Sequence, residues 1–141
     1  MATMLALILG TVLSLVLVRL ARTYPPVGER RVYAVGLVVT ALIYVIFGVV
    51  GGASARWLAL ESLGVVIYGV AAWAGLRGWH SLLAAGWAIH VAWDLALHLR
   101  GAGAEYTPPW YPWSCVSFDL VIAVAVLVLM KRATSDLRGA V

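Results

Sequence analysis

Apolar residues occur along this chain in five long runs, at about residues 3–19, 32–50, 57–76, 79–99 and 114–130. A spanning helix needs about 20 such residues, because each adds about 1.5 Å through a hydrocarbon layer about 30 Å thick. The pattern predicts an all-α membrane protein: a five-transmembrane-helix bundle forming a single domain over residues 1–141. Helix-breaking residues mark the junctions, at Tyr24-Pro25-Pro26, Gly51-Gly52, Gly78 and the stretch Thr107-Pro108-Pro109-Trp110-Tyr111-Pro112-Trp113. Proline cannot continue a helix and biases the residue before it toward extended backbone. The two longer connections are therefore expected from Arg22 to Arg31 and from Gly101 to Trp113. Met1 to Val18 is apolar, and its positive charges, Arg19 and Arg22, follow the run rather than precede it. That order is the reverse of a signal peptide, so the segment is expected to be a retained first span.

Composition supports the same class. Hydrophobic residues make up 64% of the chain and charged residues 11%, against about 25% charged in an ordinary soluble domain. There is too little polar surface to cover the molecule in water. The net charge of +4 comes mainly from arginines at span ends, a placement that reads as topology rather than nucleic-acid binding. Arg19, Arg22, Arg30, Arg31, Arg77, Lys131, Arg132 and Arg138 fall on one side; Arg56 and Arg100, with Glu105, fall on the other. The positive-inside rule then puts the N-terminus outside and the C-terminus in the cytoplasm. A single cysteine, Cys115, excludes an internal disulfide.

Three carboxylates interrupt the spans: Glu61, Asp94 and Asp119. Ionisable groups at membrane depth are costly and usually face a cavity or one another. Counted from the nearest outer loop, all three lie roughly 7–9 Å down at about 1.5 Å per residue. His90, Asp94 and His98 recur every fourth residue, so they share one helix face. Trp87 joins that stripe, Tyr44 lies in the outer half of the second span, and Tyr68 shares a face with Glu61. The expectation is an outward-facing polar pocket built from the second to fifth spans.

Acid–base chemistry needs titratable groups whose surroundings push their proton affinities apart. A carboxylate and histidine set inside an apolar bundle provides such groups. Asp94 and Glu61 are expected to transfer protons, with His90 and His98 orienting them and Asp119 as a further carboxylate. Tyr44, Tyr68, Trp87, Trp110, Trp113 and Cys115 are expected to contact the substrate. Such a site suits isomerisation, cyclisation or hydrolysis of a lipid-soluble small molecule within the bilayer. No organic cofactor is implied. A divalent metal (Zn, Fe or Mn) is an alternative, drawn from His90, Asp94, His98, Glu61 and Asp119. However, His90 and His98 are about 12 Å apart along a helix, too far to bind one ion together.

Bland readings stand beside these. Asp–His and Glu–Tyr hydrogen bonds can simply tie spans together, and carboxylate–histidine chains also relay protons in transport. Trp110, Tyr111 and Trp113 suit an interfacial belt or a lid over the pocket. Trp73, Trp79 and Trp93 read as packing or interface residues, and His80 as interfacial. Gly64, Gly69, Gly75 and Gly86 are expected to let helices approach closely. No internal repeat is visible, so a transport pathway would need oligomerisation into a homo-oligomer.

Gly86-Trp87-x-x-His90-x-x-Trp93-Asp94-x-x-x-His98, then Gly101, a proline-containing loop and Cys115-x-x-x-Asp119, resembles a family of small bacterial integral membrane proteins catalogued as domain of unknown function 6010. Glu61, thirteen residues and Gly75-Leu76 fit the same pattern. The resemblance covers about the last 80 residues by motif and the first two spans by hydropathy. It implies a multi-pass protein of the bacterial cytoplasmic (inner) membrane and brings no reaction with it. Family members often carry a His-His pair where this chain has Leu97-His98, which weakens a two-histidine metal arrangement there. The span count and seven tryptophans are similar to those of tryptophan-rich sensory (translocator) proteins in composition alone.

Overall fold

In the computed structural model the helices are α1 (Ala2–Ala21), α2 (Pro26–Val50), α3 (Ala55–Leu76), α4 (His80–Trp93) and α5 (Tyr111–Gly139). The structure describes residues 1–139, with side chains described through residue 132. Arg138, counted above with the C-terminal basic residues, lies outside the described side chains. A π-helical turn, Asp94–Leu99, prolongs α4, and a 3-10 turn, Ala102–Glu105, follows it. No strand occurs among the described residues. Five helical stretches of 20 to 25 residues are long and apolar enough to cross a membrane.

Exposure runs opposite to that of a water-soluble protein. Large apolar side chains such as Ile8, Val16, Ile46, Val66, Val70 and Val124 stand on the outer surface, as a lipid solvent permits. The buried stripes are small or polar. In α1 they read Ala6, Gly10, Ser14, Val18 and Ala21; in α3, Glu61, Gly64, Tyr68, Ala72 and Gly75. The spacing of three to four is the helical period.

Helices α2, α3, α4 and α5 surround the core, and α1 lies along α5 with little contact to α2. At the α1–α5 crossing a Cβ on Gly10 would overlap the Ser114 backbone, and Ser117 Oγ donates to the Leu7 carbonyl at 2.9 Å. Such small-residue contacts hold helices together where lipid supplies no hydrophobic drive. Gly78 turns α3 into α4 with φ +112°, a conformation only glycine adopts freely. His80 Nδ1 then bonds the Gly75 carbonyl across that turn at 2.9 Å.

The structure departs from the expected boundaries at both proline-rich junctions. Helix α2 starts at Pro26 and takes in residues expected to lie in a loop. Pro25 is extended (φ −56°, ψ 159°), while Pro26 occupies the first helical turn, where its missing N–H costs nothing. The extra turn buries Glu29, whose Oε1 accepts from Tyr33 Oη at 2.9 Å. Likewise α5 starts at Tyr111, with Pro112 in its first turn. Gly64, Gly75 and Gly86 sit at close contacts as expected, whereas a Cβ on Gly69 would meet nothing within 4 Å. Gly69 therefore mediates no helix approach.

Candidate functional site

Seven side chains from four helices converge in the core: Tyr44 (α2), Glu61 and Tyr68 (α3), His90 (α4), Asp94 and His98 (the π-helical turn) and Asp119 (α5). All are buried, at 3% exposure or less. The π-helical turn matters to this. Its wider i→i+5 winding brings residues four apart nearer to one full turn, so Asp94 and His98 point the same way more closely than in an α-helix.

The inner half of the cluster is His90, Asp94 and Asp119. His90 Nδ1 lies 2.7 Å from Asp119 Oδ2 and 3.6 Å from Asp94 Oδ1. Against an ionised Asp119, which can only accept, Nδ1 would be the donor; His90 Nε2 has no partner. Neither oxygen of Asp94 has a hydrogen bond. The Tyr44 hydroxyl lies within electrostatic reach of Asp94 and Cys115, but not in hydrogen-bonding geometry. The Tyr68 ring meets His90 edge-on at 4.8 Å.

The outer half is Glu61 and His98. His98 Nε2 lies 3.4 Å from Glu61 Oε1, and Trp93 Nε1 donates to Glu61 Oε2 at 3.4 Å. Tyr44 stacks on His98, with centroids 3.6 Å apart and planes at 11°. Thr107 Oγ1 and His98 Nδ1 are 3.2 Å apart, and a Cβ on Gly103 would collide with that nitrogen. The 3-10 turn and the segment after it thus close over His98. Tyr111 covers Tyr44 and Phe47 edge-on at 5.6 and 4.9 Å, and Trp110 packs on Tyr111 at 5.6 Å.

Among the described residues, eight buried side-chain polar atoms lack a hydrogen-bond partner, and all eight belong to these seven residues. Buried polar atoms are nearly always paired. Their concentration in one place marks a site shaped for something besides its own side chains.

The cavity lies elsewhere than expected. A space of about 700 Å³ opens between α1, α2 and α5, lined by Leu13, Val35, Val39, Ile43, Cys115 and Phe118 among others. It falls within the usual range for ligand sites, about 300–1,000 Å³. None of the three carboxylates lines it. Cys115 and Tyr111 form part of its wall and lie beside Tyr44 of the cluster. Within the cluster the Tyr44 ring stacks on His98 and the Tyr68 ring packs edge-on against Trp93, while α1 has little contact with α2.

Of the expected substrate contacts, Tyr44 and Tyr68 join the cluster and Cys115 borders it. Trp87 is a core residue: its Nε1 donates to the Tyr33 carbonyl at 3.2 Å and its ring packs on Phe118. Trp110 is exposed at the rim, and Trp113 is half-buried on the first turn of α5. Sequence reasoning missed Thr107 and Gly103, loop residues that no helical period could align with His98. It also missed the role of Trp93, whose one-residue offset from Asp94 hides its contact with Glu61.

No curated protein and no solved structure matches the chain. A model described as a family of unknown function (DUF6010) matches residues 3–132, spanning all five helices. The match takes in the first two spans, where the sequence resemblance rests on hydropathy alone, and the chain belongs to the DUF6010 family.

Proposed function

We propose that this chain is a small membrane-embedded enzyme performing acid–base chemistry on a lipid-soluble molecule. The reaction type is isomerisation, cyclisation or hydrolysis. The supporting observation is the fully buried cluster with its eight unpaired polar atoms, beside which lies a cavity walled in part by Tyr111 and Cys115, neighbours of Tyr44. A hydrophobic substrate would enter between α1 and α2 and reach Asp94 by displacing Tyr44. Glu61, paired with His98, and Asp94, facing His90, are the proton-transfer groups; Asp119 orients His90. The N-terminus and the cluster lie toward the outside of a bacterial inner membrane, following the arginine distribution.

The same carboxylate–histidine chain favours one second reading, a binding or transport protein for a small hydrophobic molecule, a proton or a metal ion without chemistry. Membrane-lipid extracts incubated in vesicles with the protein, then profiled by mass spectrometry, separate the two. Conversion by the parent protein and none by Asp94→Asn or Glu61→Gln, with retained ligand binding, supports the enzyme. Binding without conversion in every form removes it.

A further inference from the structure

We infer that the inner half of the cluster is a binding site for one divalent transition-metal ion, with His90, Asp94 and Asp119 as its protein ligands. The inference goes beyond the acid–base reading and its test does not depend on it.

Geometry comes first. Each of the three residues offers a donor atom, and these atoms all lie within 4.8 Å of one another. Donors about 2.1 Å from a tetrahedral ion stand roughly 3.4 Å apart. His90 Nδ1 and Asp94 Oδ1, at 3.6 Å, already have that separation. His90 and Asp119, at 2.7 Å, hold a proton between them now. An ion would replace that proton and widen the pair, as expected for ligands that must be deprotonated to bind.

Charge balance points the same way. Two carboxylates and one imidazole lie together at zero exposure inside a membrane span. The ion-pair partner that Asp94 and Asp119 share is His90. Buried charges are paired or coordinate metals, and a divalent cation balances two carboxylates that bind it in deprotonated form. The unpaired atoms are an independent observation: both Asp94 oxygens, Asp119 Oδ1 and Tyr44 Oη are buried without hydrogen-bond partners. One nitrogen and several oxygens suit Zn, Fe(II) or Mn rather than a soft-thiolate metal. His98 belongs to the outer pair with Glu61, so the site draws on one histidine. An ion here would act as a Lewis acid next to Tyr44 on the cavity side.

The test is metal stoichiometry. Protein purified in mild detergent is stripped with chelator, loaded separately with Zn, Mn or Fe(II), desalted and analysed for metal per chain. The parent chain should retain about one ion of at least one of these metals, and His98→Gln and Glu61→Gln should retain it too. Asp94→Asn, Asp119→Asn and His90→Gln should each weaken retention at least tenfold, whereas Asp94→Glu should keep it. A parent chain that retains none of the three metals overturns the inference. So does undiminished retention in a folded double variant, Asp94→Asn with Asp119→Asn. If variants fail to fold, the parent stoichiometry together with competition by the outer-pair variants decides the matter. An ion bound without any lipid conversion would sink the enzyme reading alone, and lipid conversion by a parent chain that retains none of the three metals would sink the metal site alone.

Discussion

Asp94 and Asp119 are equally buried, yet their surroundings predict opposite responses to the same substitution. Asp119 Oδ2 holds His90 at 2.7 Å, while both oxygens of Asp94 lack a hydrogen bond. A buried polar group without a partner costs about 1–3 kcal/mol. Asp94→Val, close in size and free of polar atoms, should therefore stabilise chelator-treated protein by about that amount. At about 4 °C per kcal/mol this is a rise of roughly 4–12 °C in Tm. Asp119→Val removes an interhelical polar contact worth about 0.5–2 kcal/mol in a membrane protein. It also strands the His90 N–H, adding about 1–3 kcal/mol more, so Tm should fall by several degrees at least. Thermal unfolding in detergent, followed by the fluorescence of the seven tryptophans, reads both. If both variants lower Tm alike, Asp94 is held by partners and the charge-balance reasoning fails. Adding the metal retained by the parent chain should raise its Tm, by about 2.7 kcal/mol at a hundredfold excess over Kd, and leave both valine variants unmoved.

Three further outcomes follow from the geometry. Gly64→Ala pushes a Cβ to 2.9 Å from the Trp93 ring, while Gly69→Ala meets nothing. The first should lower Tm and activity together, and the second should be neutral or stabilise by about 0.5–1 kcal/mol through helix propensity; equal effects in melting experiments would contradict the packing described here. Gly103→Ala collides with His98 Nδ1 and should cost about 1–3 kcal/mol by breaking the Thr107 contact, with metal retention at His90 unchanged. Val39→Trp fills the cavity wall and should reduce binding of a fluorescent lipid analogue at least tenfold without moving Tm; unaltered binding would place the ligand elsewhere.

Much of this molecule follows from its order of residues. Five apolar runs of spanning length leave no other way to satisfy the backbone in lipid. The one-turn spacing of His90 and Asp94 and of Cys115 and Asp119 puts each pair on a common face before any packing is known. Other features needed the third dimension. Pro26 reads as a helix stop in sequence but is a helix start in place, because only its position in the first turn decides between the two. Thr107 and Gly103 reach His98 through a loop, whose path has no period to read.

What the sequence by itself determined is the class and the number of spans, because hydropathy and a fixed rise per residue are local properties. Only the tertiary structure decided which groups touch. It divided the polar residues into a His90–Asp94–Asp119 set and a Glu61–His98 pair, and it placed the cavity beside α1 rather than among the carboxylates. The reason is physical: helix rotation and neighbour choice depend on small residues such as Gly10 and Gly64, and on a local widening of α4, all of which act between helices rather than within one.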